Sequence, residues 1–230
     1  MASPGADRRQ RQPSLSDDAD NEKRVAATAA AELVESGMRV GLGTGSTVAH
    51  LLPALVERGL TGLRCVATSP ATEQAARSLG LDLFELGELG ELDIAIDGAD
   101  QVASDGWLIK GGGGAHTREK IVAAAARRFV VIVSSEKVVE RLSPPIPVEL
   151  LRFGAERTLA TLDPVRLREG RESPDGGLIA DCLGPVEDPA RLAVWLSAVP
   201  GVVEHGLFGP EMVSDVLIAS GHDIQHRALS

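Results

Sequence analysis

Short, largely apolar runs alternate with longer amphipathic stretches along the first two thirds of the chain. The runs at 38–42, 63–67, 93–96 and 129–133 predict strands, 93–96 a buried one and 129–133 a fully apolar one. The stretches at 20–36, 46–58 and 116–127 predict helices, and T-S-P-A-T-E-Q caps another that reaches Leu79. Asp20 or Asn21 is the expected cap of the first helix. A further short strand is expected at 81–84. This alternation predicts an α/β fold around a parallel sheet.

From Ser143 the texture changes, with Pro144, Pro145 and Pro147 marking a crossing. The chain beyond the crossing reads strand 146–151, helix 154–162, strand 165–169, a turn at Pro174-Asp175-Gly176-Gly177, strand 178–182, helix 188–198 and strand 201–207. That β-α-β-β-α-β order is ferredoxin-like. Residues 1–20, polar with Pro, Arg and Asp, read as a disordered extension.

The chemistry concentrates between Asp93 and Lys120. One strand delivers Asp97 and Asp100 across Gly98 and Ala99, and a second apolar piece, 107–109, delivers Lys110. Gly111 to Gly114 come next, then a helix start carrying Glu119. Consecutive glycines pack nothing and cost backbone entropy, so they suit a loop whose N–H groups approach a ligand. Lys110 at its lip suits a developing oxyanion. Asp97 and Asp100, close together, should push their pKa values apart, which suits proton relay. Glu119 suits a general base. The plain alternative for D-G-A-D is an ordinary turn, because D-G is a turn dipeptide.

A second Gly-rich unit, G-L-G-T-G-S-T at 41–47, joins a strand to a helix. It lacks the G-K-[ST] of a Walker loop, and Ser46 occupies the third glycine position of G-x-G-x-x-G. Backbone N–H groups around Gly45 and the hydroxyls of Thr44, Ser46 and Thr47 suit a terminal phosphate without a nucleotide. Thr68 and Ser69, at another strand end, are candidates to line the same pocket.

The 230 residues carry a formal charge of −10. That argues against nucleic acid or an acidic membrane surface as partner, and asks any anionic ligand to find a locally basic pocket. Two distant cysteines, Cys65 and Cys182, show no metal spacing, and a reducing cytoplasm is the expected compartment. His222 and His226 have a metal-pair spacing for a helix but lie in a polar tail.

The set G-L-G-T-G-S-T, D-G-A-D, I-K-G-G-G-G-A-H-T-R-E-K and P-I-P-V-E-L, in this order, closely resembles the ribose-5-phosphate isomerase type A family. P-G-V-V-E-H-G-L-F at 200–208 is similar to that family's penultimate strand, and the resemblance spans 21–220. It implies a Rossmann-like open-sheet domain (21–142 and 209–230) with an inserted ferredoxin-like α+β small domain (143–208), the chain returning through 212–219. It implies an aldose–ketose isomerase of the non-oxidative pentose phosphate pathway, working through an enediol(ate) without metal or organic cofactor, as a homodimer or homotetramer.

On this resemblance Glu119 is the base, Lys110 and the loop N–H groups of Gly111, Gly112 and Gly113 hold charge on oxygen, and Asp97 or Asp100 assists ring opening. Gly98 and Ala99 line the sugar site, and the 44–47 loop holds phosphate with Lys137 and Lys23, which match family lysines. Three places depart from the pattern. Ser134 and Glu136 replace an acidic residue and a hydroxyl, 173–177 replaces a Thr-Asp-Asn-Gly-Asn turn, and His116 stands where an apolar residue is usual. The same fold type also serves sugar-phosphate-sensing regulators and coenzyme A transferases, so a binding module and a transferase are the competing readings.

Overall fold

The computed structural model describes residues 15–229. The chain runs α1 (Leu15–Ala31), β1 (Arg39–Leu42), α2 (Ser46–Glu57), β2 (Arg64–Ala67), α3 (Pro70–Ser78), α4 (Leu86–Leu89) and β3 (Ile94–Asp97). It continues β4 (Gln101–Ala103), β5 (Leu108–Ile109), α5 (His116–Ala124), β6 (Phe129–Ser134), β7 (Val138–Val139) and β8 (Ile146–Leu150). Then come α6 (Ala155–Leu162), β9 (Val165–Glu172), β10 (Leu178–Cys182), α7 (Pro189–Ala198), β11 (Val202–His205), β12 (Leu207–Phe208), β13 (Asp215–Ser220) and β14 (Asp223–Ala228).

The main sheet has the order β14-β13-β6-β3-β1-β2, parallel except for the β13–β14 hairpin. Its central strands are buried along their whole length because helices cover both faces. The pleat divides the apolar residues accordingly. Ile94, Ile96, Val130 and Ile132 meet the alanines of α1 and the leucines of α2, while Ala95, Val131 and Val133 meet Val122 and Phe208 on the other side. The strand order reverses between β1 and β3, so their C-terminal ends open a crevice, the usual ligand position in such sheets.

The segment from β8 to β11 forms a four-stranded antiparallel sheet of order β11-β8-β10-β9, the ferredoxin-like arrangement, under α6 and α7. The fold is therefore a Rossmann-like open sheet with an inserted ferredoxin-like unit. A third sheet, β12-β5-β4-β7, joins the two. Its strands are too short for a period-two pattern to reveal.

Several boundaries differ from the sequence reading. α1 begins at Leu15, ahead of Asp20, and ends before Ser36. Asp20 does not cap it; its carboxylate meets His50 Nε2 at 3.1 Å. The expected extension is thus helical from Leu15, and its earlier part lies outside the described residues. The 81–84 run makes one bridge, Leu83 to Cys65, and no strand. α5 stops at Ala124 because the backbone of Arg127 turns to bond Leu92 O at 2.9 Å. The 201–207 strand breaks at Gly206. That residue's N–H donates to Pro147 O at 2.7 Å and its carbonyl accepts from Lys110 N at 2.8 Å, so the chain crosses from one sheet to another. The polar tail contains β14, whose exposed edge carries one large apolar residue, Ile224; backbone pairing with β13 forms it where hydropathy gave no signal.

Candidate active site

The crevice is an open cleft of about 610 Å³ lined by Lys23, residues 44–47, Gly98, Ala99, Asp100, Lys110, Gly111, Gly112, Gly113, Glu119 and Lys137. Three glycines, Gly41 in β1 and Gly43 and Gly45 in the turn after it, shape its surroundings. A side chain at Gly41 would strike Val122 Cγ1 at 2.5 Å, and one at Gly43 would strike Asp97 at 2.0 Å. Gly45 holds φ of 115° and starts α2 with no side-chain cap, so the first N–H groups of α2 stay free of one.

Asp97 ends β3 and is 2% exposed. One carboxylate oxygen accepts N–H bonds from Thr44 at 3.0 Å and Gly98 at 2.7 Å. The other lies 2.9 Å from Lys110 Nζ. Lys110, 3% exposed, also donates to the Gly98 carbonyl, lies 3.2 Å from Glu119 Oε2 and sits 5.5 Å from the centre of the Phe208 ring. The first turn of α5 delivers Glu119, which is 5% exposed.

Two buried carboxylates thus share one ammonium. Burial opposes charge on Lys110, but Asp97 and then Glu119 outweigh it and hold the lysine above its usual range. Burial pushes Asp97 up, against the pull of Lys110 and the two N–H donors. Burial lifts Glu119 to about 8; the charge of Asp97 adds to this and Lys110 opposes it. Both carboxyls are therefore held above the ordinary carboxylate range by burial.

Asp100 occupies a different environment. It is exposed in the cleft, and its Oδ2 accepts the Gly112 N–H at 2.7 Å. Thr68 and Ser69 do not line the cleft. Thr68 bonds Thr44 Oγ1 at 2.8 Å from behind, and Ser69 caps α3 through Thr72 N. His116 is fully buried, stacked under Gly111, with Nε2 3.3 Å from Glu204 O. His226 pairs with Asp215 across the β13–β14 hairpin, and His222 lies in its turn, so no helix aligns them. Among the described residues no group of three His, Cys, Asp or Glu side chains is placed to hold a metal ion, and no helix is long and apolar enough to cross a membrane.

Sequence reading missed the supports. Phe208 lies under Lys110 on one side and Lys120, at 4.9 Å, on another. Buried Glu149 accepts hydroxyl bonds from Thr117 in α5 and from Ser173, and Arg118 pairs with Asp175, so the 173–177 hairpin grips the helix that carries Glu119. Arg168 reaches the glycine loop from β9. These contacts join positions far apart in sequence, and Glu149, Arg118 and Arg168 each read alone as a solvated charge.

A buried carboxyl beside an ammonium, under a glycine loop and a helix start, suits an enzyme that handles a small anionic substrate. The sequence pattern of the family described as Ribose 5-phosphate isomerase A (phosphoriboisomerase A) matches residues 64–223. A ribose-5-phosphate isomerase A of Caulobacter vibrioides is 48% identical over 205 residues, covering 83% of this chain and 90% of its own. The structure of ribose 5-phosphate isomerase A from Neisseria gonorrhoeae superposes with a TM-score of 0.88 at 31% identity, over 92% of this chain and 98% of that one. A D-ribose-5-phosphate isomerase in complex with phospho-erythronic acid gives 0.86 at 28% identity, over 91% and 99% of the two chains. The chain belongs to the ribose-5-phosphate isomerase A family.

Proposed function

We propose that the chain interconverts D-ribose 5-phosphate and D-ribulose 5-phosphate, and that Glu119 is the base. The observation that carries this is the buried Lys110 held between Asp97 and Glu119 at the floor of the cleft. In the open-chain aldose Glu119 takes the proton on carbon 2, and the electron pair moves onto the carbonyl oxygen. Lys110 and the loop N–H groups stabilise that enediolate oxygen. Glu119 then returns the proton to carbon 1, and a hydroxyl proton passes between the two oxygens to complete the ketose.

Asp100 is our candidate for ring opening and the oxygen-to-oxygen transfer, because it faces the cleft with one carboxylate oxygen uncommitted. Asp97 is committed to Thr44, Gly98 and Lys110, so we assign it to holding the lysine. A sugar-phosphate sensor or a coenzyme A transferase is not favoured, since the relatives matched over 83% of the chain are isomerases. Conversion of ribose 5-phosphate supplied alone tests the assignment.

The phosphate goes to the start of α2, where Lys23 and Lys137 supply charge. Lys137 is 38% exposed and 3.4 Å from Glu136, so solvent screens its contribution. Lys137→Ala is expected to raise KM for ribose 5-phosphate about tenfold with little change in kcat, the signature of lost uniform binding. Equal losses with unphosphorylated ribose would show that Lys137 does not read the phosphate. We also place the enzyme in the cytoplasm, where its two buried free thiols, raised by burial to about 12 and 11, stay inert. It is expected to be a homodimer or homotetramer; a strict monomer in light scattering contradicts that.

A further inference from the structure

Arg168 stands apart from the other charges of β9. Arg166 exposes 66% of its side chain and Arg168 only 17%. The guanidinium is locked by Asp181 on β10, through Nε at 3.0 Å and Nη2 at 2.6 Å. That fork leaves Nη1 aimed at the catalytic loop, 3.0 Å from Gly111 O and 2.9 Å from Gly112 O. Arg168 does not line the cleft, so it holds the loop from behind.

Peptide geometry gives this contact a consequence. Both loop peptides are trans, so each N–H points opposite to the carbonyl before it. With Gly111 O turned to Arg168, the Gly112 N–H points the other way and meets Asp100 at 2.7 Å. With Gly112 O turned to Arg168, the Gly113 N–H faces the cleft, where Gly113 lies beside Thr44. The Gly111–Gly112 peptide is also held by the Gly114 N–H, which donates to Gly111 O at 3.0 Å, and by Asp100, but the Gly112 carbonyl is held by Arg168, and in a loop without side chains the Gly112–Gly113 peptide could rotate without that donor. A flipped peptide would present a carbonyl where a donor is needed.

We infer that Arg168 is a positioning residue: from the inserted unit, with Asp181 as its anchor, it sets the Gly112–Gly113 peptide so that the Gly113 N–H serves as an oxyanion donor. This rests on the reading of the loop as the site that binds charge on the substrate oxygen. The contact also explains why the inserted unit is joined to the reaction centre, since the charge pair on β9 and β10 reaches the loop directly.

The test compares wild type, Arg168→Ala and Arg168→Lys, with Glu119→Gln in the same isomerisation assay. Loss of one oxyanion donor costs about 10²–10³ in rate, and a loosened donor should cost less. Arg168→Ala is expected to lower kcat about 10- to 100-fold with KM within about threefold. Added methylguanidinium should restore part of the rate, and amide hydrogen exchange of the loop peptide should quicken. Arg168→Lys can reach one carbonyl but not both while paired with Asp181, and should fall between. A folded Arg168→Ala enzyme with wild-type kcat overturns the inference, as does a kcat loss with unchanged loop exchange and no methylguanidinium response. If the alanine variant does not fold, wild-type kcat and loop exchange in Arg168→Lys overturn it. Failure of the functional reading shows separately, as no turnover by wild type or full turnover by Glu119→Gln, while loop exchange still reads the positioning.

Discussion

Glu119→Gln lowers kcat by about 10²–10⁴, the usual cost of losing a general base, while substrate binding survives. The amide keeps the shape of the carboxylate but cannot take a proton from carbon 2. Lys110 retains Asp97 at 2.9 Å, so the cleft floor keeps its charge pair. The wild-type pH profile supports the same assignment. The base must be ionised to act, and burial has raised Glu119 from the ordinary carboxylate range to about 8. kcat/KM should therefore rise with pH through a midpoint well above 4.5 and level off once Glu119 is ionised. A profile flat from pH about 5 upward would place the base elsewhere, with Asp100 the next carboxylate in the cleft. Near-normal turnover by the glutamine variant would say the same.

The second large effect is on Lys110. Lys110→Met removes the cation that we propose stabilises the developing charge, and kcat should fall by about 10²–10³. It also leaves Asp97 and Glu119 buried without a counter-ion. Removing one partner of a buried ion pair typically costs about 3–5 kcal/mol, though proton uptake by the carboxylates offsets part of this at lower pH. The sign is fixed by linkage. Carboxyls whose folded pKa lies above the unfolded value give stability that is present at low pH and lost as pH rises through the folded value. The fall in Tm relative to wild type should therefore be larger at about pH 8.5 than at about pH 5. An equal deficit at both pH values would mean that the carboxylates are not the source of the instability.

How much of this was legible in the sequence depends on how local the cause is. The main-sheet strands and the helices after them announce themselves through apolar runs and caps, such as Ser69 on α3. The order D-G-A-D, K-G-G-G-G and R-E-K placed Asp97, Lys110 and Glu119 at strand ends and a helix start, and β3, β5 and α5 bring the three together. What a linear reading could not supply is the partition of the two aspartates. Sequence adjacency suggested a coupled pair, yet Asp97 ends a buried strand while Asp100 lies past it, facing the loop. β14 and the third sheet were hidden because backbone pairing makes them, with few apolar residues or few residues at all. Arg168 was hidden because its neighbours on the edge strand are solvated charges like any others.

The central claim is isomerisation by proton transfer within one cleft, and proton NMR in heavy water reads it directly. Purified enzyme given D-ribose 5-phosphate alone should produce D-ribulose 5-phosphate, with solvent deuterium entering the carbon that receives the transferred proton. An unchanged aldose spectrum, or deuterium entering any carbon other than 1 and 2, would contradict the account.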